Sequence, residues 1–249
     1  PVLLVGAQRS SDRGSSDAYM NLICAANFIV KSDFSGIAIC MHGTPEDKCC
    51  YIHQGTKVRK MHTSRRDAFR SINVLPYAKI FYDGKIEFLR KDYIKKDEKR
   101  KLALENKFEK KVAIIRLMPG FDYKELEAHK NYKGIILEGT GLGHAPTNSL
   151  DQYTKNHKKL LDLLKEMSKK TIIVMASQCI YGRVNMNVYS TGKDLLAAGV
   201  ISAEDMLPEV AYIKLGWLLA NKPREAKELF AKNLVGEITG RIDEKAFLY

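Results

Sequence analysis

At 249 residues, 45% of them hydrophobic, the chain is long enough for two ordinary domains with real cores, which excludes a disordered protein. Its 41 Lys and Arg against 29 Asp and Glu give a formal net charge of +12, which favours contact with polyanions without requiring it. No apolar run approaches the roughly 20 residues of a membrane-spanning helix, so we expect no membrane partner.

The first elements of the chain alternate between strand and helix. The run PVLLVG predicts a buried strand, and SSDAYMNLICAANFIV predicts a helix whose first turn is capped by serines. The run SGIAICMHG predicts the next strand. Because the chain enters its first apolar run directly at Pro1, without an initiator methionine, we expect further sequence upstream or a partner chain that supplies it.

The following elements extend this N-terminal domain to residue 90. KCCYIHQGTKV predicts a strand and a turn, and AKIFYDGKIEFL predicts a hairpin around Asp83 and Gly84. Between them, Ser64 and Asp67 have the spacing of a capping box, which predicts the start of a helix. Residues 91–111 then change in composition. From Arg90 to Lys111 there are ten Lys or Arg against five acidic residues, which predicts a solvated basic linker, partly helical.

A second domain is predicted from residue 112 to residue 249. The apolar runs KVAIIRL, GIILEG and TIIVMAS are separated by the helical segments DYKELEAHK and SLDQYTKNHKKLLDLLKEMSKK. This pattern is typical of a parallel sheet with right-handed crossovers. The tail adds two helices with Pro208 and Pro223 near their first turns. The predicted fold class is α/β throughout, with a partial first domain and a complete second one.

Loops beyond the carboxyl ends of parallel strands are the usual ligand sites, and four of them are candidates here, the fourth being the loop from Gly55 to Phe69. The hydroxyl-rich loop from Gly6 to Asp17 leads to a helix N-terminus that would receive an anion, or is simply a capped loop. The glycine-rich loop from Glu138 to Pro146 allows close backbone approach to a substrate, or is a tight turn. The polar segment from Ser177 to Gly192 is long enough for a functional loop, although its Cys179 is more typical of a buried cysteine than of a nucleophile.

The loop from Gly55 to Phe69 holds five basic side chains and a histidine. Its Lys60 is a candidate base, but a lysine loses its proton near neutral pH only if burial or a neighbouring cation, here Arg59, lowers its pKa from about 10.4. Spacing alone favours a solvated basic patch. The segment from His42 to Lys48, HGTPEDK, predicts a strand end and a turn rather than a catalytic motif.

The cysteines and histidines predict neither disulfides nor a metal site. The five cysteines form no CxxC pair, and the adjacent Cys49 and Cys50 are a poor disulfide framework, which favours a reducing cytoplasm. The histidines lack zinc-like spacing. No nucleotide-binding signature is present, so we expect no metal and no cofactor.

Four segments together resemble the L-asparaginase family: PVLLVGAQRSSDRGSSDAYMNL, GTKVRKMHTSRRDAFRSIN, GIILEGTGLGHAP and GRVNMNVYSTGKDLLAAGVISAEDMLPEVAYIKLGWLL. They cover nearly the whole chain, and the resemblance is strongest to the branch that supplies ammonia for tRNA-dependent amidation. It implies a large parallel-sheet N-terminal domain, present here in part, joined to a smaller flavodoxin-like C-terminal domain. It also implies a homodimer with sites at the subunit interface.

The resemblance assigns roles to three residues. In this family a threonine attacks a side-chain amide, and a second threonine, an aspartate and a lysine handle the protons; Lys60 matches that lysine. Attack by a hydroxyl requires a proton acceptor, which a lysine with a buried amine, hydrogen-bonded towards the second threonine, can provide. Ala7 matches a position whose backbone carbonyl faces the substrate. His144 matches a loop position near the neighbouring subunit's site.

Two motifs of the family, of the Thr-Gly-Gly-Thr-Ile and His-Gly-Thr-Asp-Thr types, do not occur in the 249 residues. They carry the nucleophile and the aspartate, so we expect a missing N-terminal segment or complementary chain to complete the site. The other expected partners are a second copy, an amidotransferase partner subunit and, indirectly, tRNA. Two alternatives remain open: a free L-asparaginase, and a non-catalytic tRNA-binding or scaffold subunit.

Overall fold

The computed structural model describes residues 1–247, which form two compact units. One unit contains residues 1–102 and 241–247, and the other contains residues 103–240. The change from one unit to the other falls within the basic segment 91–111. That segment has no helix in the described part of the chain; its first half is irregular and contacts the first unit through the isolated bridge between Phe34 and Lys95.

The first unit is built on a mixed five-stranded sheet. Its strand order is β1-β2-β3-β6-β7, and only β1 and β2 are parallel. A separate two-stranded antiparallel sheet pairs β4 with β5. The elements are β1 Val2–Val5, α1 Ala18–Lys31, β2 Ile37–His42, β3 Cys49–Gln54, β4 Val58–Lys60, β5 Phe69–Ser71, β6 Ala78–Phe81 and β7 Ile86–Phe88. The turn at Asp83 and Gly84 joins β6 to β7, as predicted.

The first strand is exposed, so the prediction of a buried strand is wrong. Val2 is 52% exposed and Leu4 is 56% exposed. β1 lies at the edge of the sheet and pairs only with β2 among the described strands. An apolar run therefore identified the strand, but the position of the strand in the sheet determined its exposure.

The helix predicted to start at Ser64 is also absent from the described residues. The chain instead forms the hairpin of β4 and β5, in which Lys60 is opposite Phe69. The carboxylate of Asp67 is bound by the guanidinium groups of Arg65 and Arg70, and the backbone N–H of Ser64 donates to Nδ1 of His62. Because the imidazole, and not Asp67, binds the N–H of Ser64, the reciprocal hydrogen bond of a capping box is not made.

The second unit is a parallel sheet with helices on both faces. The strand order is β11-β10-β9-β8 with every pair parallel, which confirms the predicted α/β class. The elements are β8 Val112–Arg116, α2 Tyr123–Glu127, β9 Gly134–Gly139, α3 Asn156–Met167, β10 Ile172–Ser177, α4 Ser190–Ala197, β11 Ile201–Ser202, α5 Pro208–Asn221 and α6 Ala226–Phe230. Pro208 occupies the first turn of α5, where a backbone N–H would have no acceptor within the helix, so proline causes no loss of a hydrogen bond.

The alternation of side chains along β9 explains the two layers of helices. Ile135 and Leu137 pack in one core with residues of α3, while Ile136 packs in a second core with residues of α5. Successive side chains of a strand point to opposite faces, so a continuous apolar run is buried only when both faces are covered. No helix within residues 1–247 is long and apolar enough to cross a bilayer.

Candidate functional site

In the first unit, the loop after β1 is held by two buried side chains at the start of α1. The carboxylate of Asp17 accepts hydrogen bonds from the backbone N–H groups of Gln8, at 2.9 Å, and Arg9, at 3.0 Å. The amide of Asn21 donates to the carbonyl of Gly6 at 2.9 Å. Ala7 lies between these anchored residues and is exposed. The loop therefore presents Ala7 on a fixed backbone.

The start of α1 differs from the predicted serine cap in one respect. Asp17 occupies the N-cap position but makes no capping bond to its own helix, and the Ser16 hydroxyl accepts from the N–H of Ala18 instead. Asp17 is fully buried, and its carboxylate takes up loop N–H groups that an external anion would need. The predicted anion site in this loop is therefore occupied by a carboxylate of the chain itself.

The end of β2 carries a histidine with partners on both ring nitrogens. His42 is fully buried; its Nδ1 lies 2.6 Å from Oδ1 of Asn21, and its Nε2 lies 3.0 Å from Oδ1 of Asp47. Asp47 in turn accepts from Arg66 at 2.7 Å. The hydrogen bond from His42 and the nearby guanidinium lower the pKa of Asp47. HGTPEDK is a strand end and turn, as predicted, and its histidine is part of a hydrogen-bonded network.

Lys60 is the last residue of β4, and it is exposed. The prediction of a buried amine at this position is wrong for the described residues, within which the structure gives the amine no hydrogen bond or ion pair. The buried lysine of the segment is Lys57, with 1% exposure. Because successive side chains of a strand alternate in direction, Arg59 points to the opposite face from Lys60 and is not the neighbouring cation we expected.

The loop that follows Lys60 is closed by local contacts. The N–H of Met61 donates to the carbonyl of Ala68, and Nδ1 of His62 accepts from the backbone N–H groups of Ser64 and Arg65. We call residues 61–68 the β4–β5 loop. Lys60 therefore lies at the end of a hairpin strand, and hydrogen bonds fix the β4–β5 loop both at its base and within its turn.

In the second unit, the glycine-rich loop and the polar segment after β10 contact each other. Nδ1 of His144 lies 3.0 Å from the hydroxyl of Thr191, and the imidazole packs edge-on against Tyr189 at 5.2 Å between ring centres. The hydroxyl of Ser177 donates to the carbonyl of Gly141 at 2.6 Å. His144 Nε2 is buried and has no hydrogen-bond partner within the described residues. Two loops that the sequence indicated separately therefore form one surface.

Gly143 has a conformational role in this loop. Its φ of +98° is in the region that favours glycine, and a Cβ there would lie 2.7 Å from the side chain of Val184. The alternative of a tight turn is therefore correct for the backbone, in which Thr140 bridges His144, but the next helix begins only at Asn156. A tight turn is compatible with a substrate-binding role for this loop, because the same turn positions His144.

The cysteines differ from expectation at one position. Cys179 is exposed rather than buried, and all five cysteines are free. A hydrogen bond with Cys50 and burial raise the pKa of Cys24, so that thiol stays protonated and unreactive. Within residues 1–247 there is no group of three His, Cys, Asp or Glu residues placed to hold a metal ion.

Sequence reasoning missed the residues that fix the candidate loops in the first unit. Asp17, Asn21 and His42 are each fully buried polar residues, and they come from three positions that the sequence does not link. A buried polar residue must find hydrogen-bond partners, so these three form a network once they are buried. The sequence does not indicate that these three are buried together.

Comparisons with known proteins agree with this architecture. Residues 1–93 match the model described as Asparaginase, N-terminal, and residues 111–230 match the Glutaminase/Asparaginase C-terminal domain. The thermostable L-asparaginase from Thermococcus kodakarensis has a similar structure, with a TM-score of 0.83 and 31% identity over 96% of this chain and 68% of that one. The chain therefore belongs to the asparaginase family, as the resemblance implied.

The curated relatives include subunits of an amidotransferase. A glutamyl-tRNA(Gln) amidotransferase subunit from Pyrococcus furiosus is 52% identical over 100% of this chain and 55% of its own length. The subunit of the same name from Thermococcus kodakarensis is 51% identical over 96% of this chain and 52% of its own length. The chain therefore spans about half the length of the curated relatives it matches.

Proposed function

We propose that the chain is part of an amidohydrolase subunit that releases ammonia from asparagine or glutamine for the amidation of Glu-tRNA(Gln) to Gln-tRNA(Gln). The observation that supports this most strongly is the 52% identity, along the whole chain, to a subunit of glutamyl-tRNA(Gln) amidotransferase. The matched length includes both units, and with them the loops that hold Ala7, Lys60 and His144.

The proposed chemistry is hydrolysis of a side-chain amide by a threonine hydroxyl. We assign to Lys60 the transfer of the proton from that hydroxyl, to the Ala7 carbonyl a contact with the amide substrate, and to His144 a contact at the neighbouring subunit's site. An exposed amine on a fixed hairpin can reach a group supplied by another segment, whereas within residues 1–247 it has no competing partner. The nucleophile and its aspartate are proposed to come from polypeptide outside the 249 residues.

Under this proposal the complete protein works with a partner subunit that holds the charged tRNA, and two copies of the asparaginase subunit form a dimer. All five cysteines are free, which supports a reducing cytoplasm. No metal or cofactor is required by the proposed chemistry.

The test measures ammonia release from asparagine and from glutamine by the complete protein, with and without the partner subunit and Glu-tRNA(Gln). An amidotransferase subunit gives release that is strongly stimulated by both additions, together with Gln-tRNA(Gln). Equal rates in both conditions would contradict that role.

The second candidate is a free L-asparaginase, which the 0.83 TM-score to a thermostable L-asparaginase favours. Unstimulated release of ammonia from asparagine, with no formation of Gln-tRNA(Gln), is the outcome that identifies it. The third candidate is a non-catalytic tRNA-binding or scaffold subunit, which the charge of +12 favours. It predicts no ammonia release and a tRNA mobility shift that weakens steeply between two salt concentrations.

A further inference from the structure

The first unit contains an unbroken hydrogen-bonded path that begins at the loop carrying Ala7. The backbone N–H of Gln8 donates to Asp17, whose carboxylate binds the amide of Asn21, and Asn21 in turn contacts the ring of His42. The side chains of Asp17, Asn21 and His42 are fully buried. This half of the path is therefore shielded from water.

The second half of the path reaches the loop beside Lys60. Nε2 of His42 contacts Asp47, and Arg66, in the β4–β5 loop, binds Asp47 at 2.7 Å. The same guanidinium also donates to the carbonyl of Pro45. Two loops that are distant in the sequence are thus connected through one buried histidine.

The orientation of Asn21 is determined by its partners. Its Nδ2 faces the Gly6 carbonyl at 2.9 Å and Oδ2 of Asp17 at 3.0 Å, and both of these atoms are acceptors. The amide nitrogen must therefore be on that side, which leaves Oδ1 as an acceptor towards His42. The thiol of Cys50 also donates to this oxygen at 3.3 Å.

The same reasoning assigns the protons of His42. Nδ1 faces the acceptor oxygen of Asn21 at 2.6 Å, so Nδ1 carries a proton. Nε2 faces a carboxylate oxygen of Asp47 at 3.0 Å, so Nε2 carries a proton as well. With both nitrogens as donors the ring is an imidazolium, and the carboxylate of Asp47, whose side chain is 68% exposed, is its direct counter-charge.

The charges around the ring agree with this assignment. Asp17 on α1 is separated from the ring only by Asn21, and Asp47 contacts it directly, while Arg66 lies on the far side of Asp47. Arg70, which donates to the carbonyl of Gly43 beside His42, is paired with Asp67, so each cation near the ring has a carboxylate partner. A buried charge is tolerated when it is paired and hydrogen-bonded in this manner.

We infer that His42, as a doubly protonated imidazolium, is a positioning residue that couples the Gly6–Arg9 backbone to the β4–β5 loop beside Lys60. The functional part of this inference depends on the proposed roles of Ala7 and Lys60. The structural part does not, because the ring's protonation and the coupling of the two loops are properties of the first unit alone.

The experiment compares Asp47→Ala with Glu46→Ala in the complete protein. Both carboxylates are exposed and adjacent in one turn, but Glu46 pairs with Lys48 and lies off the path. The first readout is the ¹⁵N NMR spectrum of the His42 ring at neutral pH. We expect two protonated nitrogens in the unsubstituted protein and in Glu46→Ala, and one in Asp47→Ala, together with shifts of the Gln8 and Arg9 amide signals.

The second readout is ammonia release. Asp47→Ala should lower kcat/KM about tenfold, since small displacements of a positioned group reduce rates strongly, whereas Glu46→Ala should not change it. A single protonated ring nitrogen in the unsubstituted protein would overturn the inference, as would equal spectra and rates for the two variants. If the unsubstituted protein releases no ammonia, the proposed function fails while the ring spectrum still decides the coupling.

Discussion

His53 shows how a single buried side chain makes stability depend on pH. It lies on β3, its Nδ1 is 2.8 Å from the hydroxyl of Ser71, and its Nε2 is buried without a partner within residues 1–247. Burial, with a smaller contribution from the nearby Arg70 guanidinium, lowers the pKa of His53 to about 3. The ring is therefore neutral in the folded protein over the physiological range.

We predict that this histidine destabilises the first unit as the pH falls. Below about 6.5 the unfolded histidine takes up a proton that the folded one does not, so stability is complete above that value and decreases towards pH 3. At pH 5.5 the loss is on the order of 1 kcal/mol. Urea unfolding followed by circular dichroism at pH 7.5 and pH 5.5 should show this loss, and His53→Phe should reduce it. Equal pH dependence in the two proteins would contradict the prediction.

Lys60 and Lys57 show why exposure was not predictable residue by residue. Both lysines lie in one basic segment, and nothing in their spacing indicates that Lys57 is buried and Lys60 is exposed. The difference arises from the hairpin with β5, a pairing that depends on residues beyond the segment. Resemblance to a family can suggest the role of a residue. The burial of that residue depends on tertiary contacts, which the resemblance does not give.

At the scale of elements, a buried ion pair attaches the C-terminal part of the second unit to α5. The amine of Lys214 is 2.6 Å from the carboxylate of Glu237 and also donates to the carbonyl of Lys232. The same carboxylate accepts from the backbone N–H groups of Leu234 and Val235. Both side chains of the pair are at most 5% exposed.

We expect Lys214→Met to destabilise the second unit by about 3–5 kcal/mol, because it leaves a buried carboxylate without its counter-charge. The matched control is Lys232→Ala, which removes an exposed ion pair with Glu228. That change should cost less than about 1 kcal/mol. The free energy of unfolding of both variants is measured by thermal and urea denaturation. Similar losses of stability in the two variants would contradict the predicted importance of the buried pair.

The elements themselves were predictable where a periodic apolar pattern was long. The parallel strands β8, β9 and β10 and the helix α5 follow their apolar runs closely. The short elements were missed: β5, β11 and α4 have three, two and eight residues respectively, and α4 begins inside the segment from Ser177 to Gly192 that we interpreted as a functional loop. Such elements form because neighbouring strands and loops bind them, which a local pattern does not reveal.

At the scale of the whole molecule, the sequence was sufficient for the α/β class and for the family. The mixed sheet of the first unit was not predictable, because antiparallel β3, β6 and β7 follow a parallel pair within the same sheet. The candidate site was predictable as a set of loops at strand ends. The buried network that joins two of those loops required the structure, since its members are up to 58 residues apart from Gln8 to Arg66.

The proposed function depends above all on Lys60 as the group that transfers a proton during amide hydrolysis, and one comparison tests this role most directly. The kcat for ammonia release is measured in the complete protein, in Lys60→Ala and in Lys85→Ala, which removes an exposed lysine of the β6–β7 hairpin. Loss of a general acid or base lowers a rate by about 100-fold or more, so Lys60→Ala should fall by at least that factor while Lys85→Ala retains the full rate. An unchanged kcat in a folded Lys60→Ala protein would contradict the proposed role.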